Sequence, residues 1–329
     1  MPKKSVDLES LPERLRNSEL LKLPSVDQEN LLKLDEIGIH TCEMLSILPG
    51  RLAEDMEIKE AKWESMIHQA KEKLGVSEEG GPTQLTVPDY ISTGATVLDN
   101  LLEGGYMCGE LTELVGTWSI GKSSSCVTAA AECMKKYDKQ VIFIHTEIHQ
   151  PLVESMLLRI GNARGVTDFM GKFWYWKVMN FDEQMDAFYR LDYEIKKHDV
   201  KLVICDSILN YLRADFPGQG KLAVRQQALN HALKHLSRIA QTLNVAVLLT
   251  NQTIENPGYG IKHLPVGGPT MHHSVGKLLD IRKSTKGEGS DNIKSNTDDG
   301  FREVIVWKSL NCPTSGVICK IDVAGLSDV

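Results

Sequence analysis

Between residues 88 and 252 the chain alternates short apolar runs with longer helical patterns. The apolar runs are rich in β-branched residues and lie at 111–116, 141–146, 173–178, 201–207 and 244–251. Helical spacing of apolar residues fills the intervals, at 122–137, 151–161, 181–198 and 221–243. Short buried strands that alternate with helices form a mostly parallel sheet covered on both faces, so the sequence predicts an α/β fold.

The last part of the chain departs from this alternation. Apolar runs at 277–283, 302–309 and 316–323 follow one another with no helical pattern between them. Strands that lack a crossover helix pair antiparallel, so we predict an antiparallel extension of the sheet. Residues 285–300 are polar and rich in Gly, Asp and Asn, which predicts a mobile hairpin loop.

The N-terminal residues 1–75 read as a small all-α domain, because apolar residues recur there at helical spacing. Gly38 is placed to close a helix–turn–helix, Thr41 to cap the next helix and Gly75 to end the last one. Residues 76–90 contain Gly, Pro and polar residues and predict a linker. Residues 91–329 then form the larger domain.

Charge and composition narrow the possible functions. The net charge is −7, which argues against a simple basic nucleic-acid-binding protein. Residues 1–80 carry −6 of it and the remainder carries −1, so any nucleic-acid surface is expected as a local patch in the C-terminal part. Seven cysteines without zinc-ligand spacing predict reduced, mostly buried thiols.

The chain shows no targeting signal for the membrane. No apolar run approaches the roughly 20 residues that span a bilayer. The first residues, MPKKSVDLES, lack the apolar core of a secretory signal. We therefore expect a cytosolic or nuclear protein.

Residues 116–123, GTWSIGKS, match the pattern G-x-x-x-x-G-K-[ST] between an apolar run and a helical segment. Two glycines let the backbone wrap around phosphates with its amide N–H groups pointing inward. Lys122 supplies a charge to the β and γ phosphates, and the Ser123 hydroxyl is a Mg²⁺ ligand. The predicted nucleotide site comprises Gly116, Thr117, Trp118, Ser119, Ile120, Gly121, Lys122, Ser123 and Ser124.

Polar residues at the ends of other predicted strands complete this site. Asp206 lies at the carboxyl end of the run at 201–207 and is expected to orient Mg²⁺ through water. Glu147 follows the run at 141–146 as a candidate general base, with a surface or capping glutamate as the alternative. Asn251 and Gln252 end a further run, where a side-chain amide can sense the γ-phosphate.

At this point the chain resembles the RecA-type recombinases of eukaryotes and archaea. The resemblance is carried by residues 92–124 and 201–252 and runs from about Ile91 to the C-terminus. Residues 31–49 resemble, more weakly, the helix-hairpin-helix domain of that family. The resemblance implies a RecA-like ATPase core that binds ATP and Mg²⁺.

The resemblance also implies roles for single residues. Glu147 matches the catalytic glutamate, and Gln252 matches the glutamine that links nucleotide state to DNA. Residues 213–220 and 253–268 match the two DNA-binding loops, and 307–316 the segment that packs over a neighbour's ATP. The DNA contacts implied are Arg213, Gln219, Lys221, Arg225, Tyr259, Lys262 and His263.

The alternative hypothesis is that both segments are ordinary surface loops that do not bind DNA. The cationic set is modest, and phosphate contacts are expected first from Arg213 and Lys262. Tyr259 either stacks on a base or packs against its own domain.

Departures from the family pattern favour a recombinase paralogue. IHQPLVES follows Glu147, where recombinases carry a Gly-Thr-Phe-Arg-Pro-Glu-Arg-like run, and Gln219 stands where an arginine is usual. Residues 75–90 contain no Phe-x-x-Ala, the segment that strings recombinase protomers together. The second helical hairpin ends in acidic residues instead of a Gly-rich turn, namely Glu54, Asp55 and Glu57.

The sequence leaves three candidate functions. The first is a mediator of homologous-recombination repair with weak DNA-dependent ATPase activity. It would bind single-stranded DNA, a recombinase filament and other paralogues in a hetero-oligomer, in the nucleus, or in the cytoplasm if the source is prokaryotic. The second is a strand-exchange recombinase that builds its own filament. The third is a nucleotide-stabilised scaffold without DNA contact.

Overall fold

The computed structural model describes residues 8–75, 87–147, 150–254, 264–284 and 300–329. Its helices are α1 Glu13–Arg16, α2 Gln28–Glu36, α3 Cys42–Ser46, α4 Leu52–Asp55, α5 Glu60–Leu74, α6 Thr96–Leu101, α7 Lys122–Tyr137, α8 Gln150–Ala163, α9 Phe181–Tyr189, α10 Leu191–His198, α11 Asn210–Asp215, α12 Leu222–Leu243 and α13 Gly268–Ser274. Short 3₁₀ turns lie at Leu8–Ser10, Glu19–Lys22, Met170–Lys172 and Gln219–Lys221.

The strands are β1 Tyr90–Ile91, β2 Tyr106–Met107, β3 Leu111–Gly116, β4 Gln140–His145, β5 Phe173–Lys177, β6 Val200–Asp206, β7 Ala246–Ile254, β8 Leu264–Pro265, β9 Lys277–Lys283, β10 Phe301–Lys308, β11 Gly316–Asp322 and β12 Gly325–Ser327. The chain divides into two compact units. The first comprises residues up to Val87 together with Met185–Lys197, and the second comprises Pro88–Gln184 and His198–Val329. The domain bounds 1–75, 76–90 and 91–329 stay a prediction.

One large sheet organises the second unit. Its order is β12-β11-β10-β9-β3-β7-β6-β4-β5, with β8 paired to β7. From β9 to β5 the neighbours are parallel, whereas β10, β11 and β12 add on antiparallel. The predicted α/β class, the mostly parallel sheet and the antiparallel C-terminal strands are therefore confirmed.

Both faces of the central strands of this sheet, such as β3 and β4, are buried. Along β4, Val141 and Phe143 join a core cluster with α7 residues such as Val127, and the alternating Ile142 and Ile144 are equally buried outside that cluster. Successive strand residues point to opposite faces, so helices must cover the sheet on each side. This explains why the strands read as continuous apolar runs instead of alternating ones.

The local signals of the first unit act as predicted. Thr41 caps α3, because its hydroxyl accepts a hydrogen bond from the backbone N–H of Met44 at 3.3 Å. Gly75 ends α5 in the left-handed conformation. Gly38, at φ +71°, also needs to be glycine because a Cβ there would lie 2.6 Å from the Cα of Tyr189.

The cysteine prediction is confirmed as well, since all seven cysteines are free thiols and all except Cys312 are buried. Burial raises the pKa of the Cys133 thiol to about 12, which keeps it protonated and unreactive. No helix in the described ranges is long and apolar enough to cross a bilayer. The predicted hairpin loop at 285–300 lies, up to residue 299, outside the described residues.

A buried histidine in the first unit contacts two aspartates that are distant from each other in the chain. The Nδ1 atom of His40 lies 2.5 Å from Asp192 Oδ1, and its Nε2 atom lies 2.8 Å from Asp35 Oδ1. Arg14 forms a two-point ion pair with the same Asp35. Burial lowers the pKa of His40, but the hydrogen bonds and charges of Asp192 and Asp35 outweigh it and raise the pKa to about 9. His40 is therefore charged at neutral pH.

We predict that His40→Gln makes the protein's stability less dependent on alkaline pH. A histidine pKa raised from 6.5 to about 9 adds stability that is fully present below pH 6.5 and is lost as the pH rises through 9. The loss amounts to roughly 3 kcal/mol. Urea unfolding at pH 6 and pH 9.5 measures it as the difference between wild type and variant. His68→Gln, at an exposed position of α5, should keep the wild-type profile. Equal pH dependence in wild type and His40→Gln would contradict the prediction.

Candidate nucleotide site

The phosphate-binding motif forms the turn between β3 and α7. Gly116 and Gly121 have φ of +158° and +112°, and Ser119 also adopts a positive φ of 57°. A Cβ on Gly116 would lie 2.6 Å from the Ile281 carbonyl oxygen, and one on Gly121 would lie 2.2 Å from the Ile321 side chain. Gly116 is thus required by conformation and by space, Gly121 is required by its conformation, and the chain turns as the motif predicts.

Lys122 folds back over this turn. Its ammonium donates to the carbonyl oxygens of Gly116 at 3.0 Å and Thr117 at 2.8 Å. Burial lowers the pKa of Lys122, while the charges of Asp206 and Glu147 raise it. The ammonium thus lies inside the loop and near two carboxylates, and it is positioned to neutralise an anionic ligand of the loop.

Asp206 is held at both carboxylate oxygens. The Ser123 hydroxyl donates to Oδ2 at 2.6 Å, and the Thr250 hydroxyl donates to Oδ1. Asp206 is buried at the end of β6, and Thr250 lies on the neighbouring β7. A hydroxyl and a carboxylate in contact at the tip of a phosphate loop are the oxygen donors that Mg²⁺ prefers, so these residues fit the ion. The sequence prediction did not include Thr250.

Glu147 lies just beyond the end of β4. The pairing of His145 with Asp206 brings the ends of β4 and β6 together, and the backbone N–H of Thr146 donates to the Asp206 carbonyl at 2.9 Å. Glu147 is half-buried, and its charge acts on Lys122. The strands therefore place Glu147 near the loop, as a general base would require. The catalytic role itself stays a prediction.

Gln252 lies beside the loop on β7. In the parallel pairing of β3 and β7, Gly116 faces Gln252 and Val115 faces Asn251. The Gln252 carbonyl accepts from the backbone N–H of Val266, near the end of the predicted second DNA loop at 253–268, at 3.1 Å. Thr253 pairs with Pro265 in the antiparallel β7–β8 ladder. The two ends of that loop are thus joined next to the nucleotide site.

Asn251 adds a buried connection between the same elements. Its Nδ2 atom donates to Glu113 Oε1 at 2.7 Å and to the Val266 carbonyl at 2.6 Å. Glu113 is fully buried on β3, and burial raises the pKa of its carboxyl to about 7 against the lowering effects of Asn251 and Lys308. Glu113 was missed in the sequence, where the only available signal was a glutamate inside an otherwise apolar strand.

The remaining residues of the predicted nucleotide loop differ in exposure. Thr117, Trp118 and Ser119 are exposed, with 78% of Trp118 accessible, whereas Ile120 is buried. Ser124 is half-buried, and its hydroxyl lies 3.4 Å from the Met156 sulfur. The loop thus presents its middle residues outward and anchors its second half inward.

The predicted DNA contacts are only partly described. Arg213 is exposed near the end of α11, Lys221 is exposed, and Arg225 is half-buried in the first turn of α12. Gln219 lies in the 3₁₀ turn that precedes α12, and its side chain is outside the described part. Tyr259, Lys262 and His263 also lie outside the described residues. The first loop therefore starts helical, and its DNA contacts stay predictions.

The fold and the loop define a RecA-like P-loop protein, and comparisons with known proteins specify the family. The Rad51 family model matches residues 87–304. The chain is 31% identical over 284 residues to the DNA repair and recombination protein RadA of Aeropyrum pernix, covering 81% of this chain and 87% of that protein. RadA of Ignicoccus hospitalis is 29% identical over 290 residues, covering 83% and 88%. The chain belongs to the Rad51 family, the archaeal and eukaryotic branch of the RecA-type recombinases.

Proposed function

We propose that this chain is an ATP-binding recombinase paralogue that assists homologous-recombination DNA repair. It binds single-stranded DNA and a recombinase or other paralogues, and it hydrolyses ATP weakly when DNA is bound. The proposal rests above all on the contact between Ser123 and Asp206 next to the Lys122 ammonium. It places the protein in the nucleus, or in the cytoplasm of a prokaryote.

The site residues have distinct tasks in this proposal. The loop amides and Lys122 bind the phosphates, and Ser123 and Asp206 hold Mg²⁺, directly and through water. Bound Mg²⁺ neutralises phosphate charge and orients the γ-phosphate. Glu147 accepts a proton from the attacking water. Asn251 and Gln252 connect the loop to residues 253–268, so nucleotide state and DNA binding share one set of hydrogen bonds.

The acidic hairpin supports a mediator over a recombinase that binds duplex DNA. Glu54, Asp55 and Glu57 are all exposed where α4 ends and the chain turns into α5. Three exposed carboxylates repel a phosphate backbone, so this hairpin is unsuited to DNA. Protein partners therefore fit the N-terminal helices better.

We expect Lys122→Ala to weaken ATP binding by about 10- to 100-fold, because a charge-assisted phosphate contact contributes on the order of 1.5–3 kcal/mol. Fluorescent-nucleotide titration measures the affinity, and circular dichroism checks the fold. Lys135→Ala, on the same helix and exposed, is the matched control and should bind normally. Unaltered ATP affinity in folded Lys122→Ala would refute the site.

We expect Glu147→Gln to keep ATP affinity and to reduce turnover at least 100-fold, because the amide cannot accept the proton. Phosphate release with and without single-stranded DNA measures it. Undiminished turnover would assign Glu147 to the surface or capping role instead.

We expect Arg213→Ala and Lys262→Ala each to weaken single-stranded DNA binding and to flatten its salt dependence. Loss of one phosphate contact lowers the slope of log affinity against log salt by about 0.7 for a single strand. Fluorescence anisotropy between 50 and 200 mM salt is the measurement. Lys234→Ala, exposed on α12, should leave both quantities unchanged. Wild-type affinity and slope in both loop variants would remove the loops from the DNA assignment.

We expect the chain alone to form no long filaments on single-stranded DNA with ATP in electron microscopy. Residues 75–90 lack the Phe-x-x-Ala segment that a self-assembling recombinase would use. Long regular filaments would establish the strand-exchange recombinase in place of the mediator. ATP binding without any salt-sensitive DNA affinity would identify the scaffold.

A further inference from the structure

Three C-terminal strands, β9, β10 and β11, lie against the phosphate-binding loop at residues 116–123. On β9, the Ile281 carbonyl oxygen lies so close to Gly116 that a Cβ there would be 2.6 Å away. On β11, the Ile321 side chain occupies the space beside Gly121. Between these strands, β10 contributes Arg302. Segments that follow the motif by 160 to 200 residues in the chain thus form the surface on which the loop rests.

Arg302 makes the polar contact of this support. Its side chain is buried, with 5% of the residue exposed, and its Nε atom donates to the Ile120 carbonyl at 2.8 Å. Its Nη1 atom donates to the Phe301 carbonyl at 2.9 Å. A charged group this buried costs stability unless its donors are satisfied, so the partners of Arg302 are specific features of the fold.

The contact fixes the orientation of one peptide unit. In a trans peptide the C=O and the following N–H point in opposite directions. Cis bonds in the described backbone are confined to Asp206–Ser207, so the unit that joins Ile120 to Gly121 is trans. With the Ile120 carbonyl drawn to Arg302, the Gly121 N–H points away from β10. That N–H belongs to the loop amides available to phosphate.

We propose that Arg302 is a positioning residue for nucleotide binding, which holds the Ile120–Gly121 peptide so that the Gly121 N–H faces the bound phosphate. The inference rests on the proposed function, because it assumes that the loop binds a triphosphate. Arg302 touches no ligand itself. Its planar guanidinium donates to two carbonyls in a fixed geometry that the flexible ammonium of lysine does not reproduce.

The test compares Arg302→Gln and Arg302→Lys with wild type. We expect ATP and ADP affinities to fall about tenfold in Arg302→Gln and about threefold in Arg302→Lys, since lysine keeps the charge and restores part of the contact. The Michaelis constant for ATP should rise with the affinity loss, whereas kcat at saturating ATP should change less than twofold. A general loss of structure would lower kcat as well.

The matched control is Arg282→Lys on the neighbouring β9. Arg282 is paired with Asp280 and lies over the Trp307 ring, with no contact to the loop among its described partners. Nucleotide affinity should therefore stay at the wild-type value. Thermal unfolding without nucleotide checks that each variant is folded, and the increase in midpoint on adding ATP reports binding separately.

Wild-type ATP and ADP affinity in folded Arg302→Gln would overturn the proposal. If that variant does not fold, Arg302→Lys decides, and wild-type affinity there overturns it equally. A wild-type protein that binds no adenine nucleotide would refute the proposed function instead. The two failures are thus separate.

Discussion

The turn from β3 into α7 determines where the other residues of the candidate nucleotide site have to lie. A loop that binds phosphate through its amides must keep those amides unpaired, so its conformation has to be held from outside. Here the Lys122 ammonium donates hydrogen bonds to two carbonyls of the loop itself. Arg302, on β10, donates a hydrogen bond to the Ile120 carbonyl. Gly116 and Gly121 permit the turn, whereas β9, β10 and β11 determine which turn forms.

The strand order brings the other residues of the candidate nucleotide site next to this turn. Because β3 lies between β7 and β9, the loop has Gln252 on one side and Ile281 on the other. The carboxyl ends of parallel strands meet at one edge, which is where α/β proteins bind ligands. Asp206 arrives from β6, two strands from the loop, and the Thr250 hydroxyl on the intervening β7 holds it.

How much the sequence could predict depends on the distance along the chain over which each feature is determined. The α/β class, the C-terminal antiparallel strands and the Thr41 cap follow from patterns within a few residues, and all are confirmed. The contacts of Thr250, Glu113 and Arg302 join strands that are adjacent only in the folded sheet. A lone arginine in an apolar strand carries no signal for its partner. Sequence periodicity cannot predict the His40–Asp192 pair for the same reason, because the two residues are 152 positions apart in the chain.

The hydrogen bonds of Asn251 connect β3, which leads into the phosphate-binding loop, with residues near both ends of the predicted second DNA loop. The Asn251 amide donates to Glu113 on β3 and to the Val266 carbonyl, and its own oxygen accepts from the Gln252 N–H at 2.8 Å. A shift of β3 therefore changes bonds at both ends of residues 253–268 in one step. Buried polar groups tolerate few arrangements, because each unpaired group costs about 1–3 kcal/mol. A network of this kind favours a small number of discrete states, which is what coupling between two sites requires.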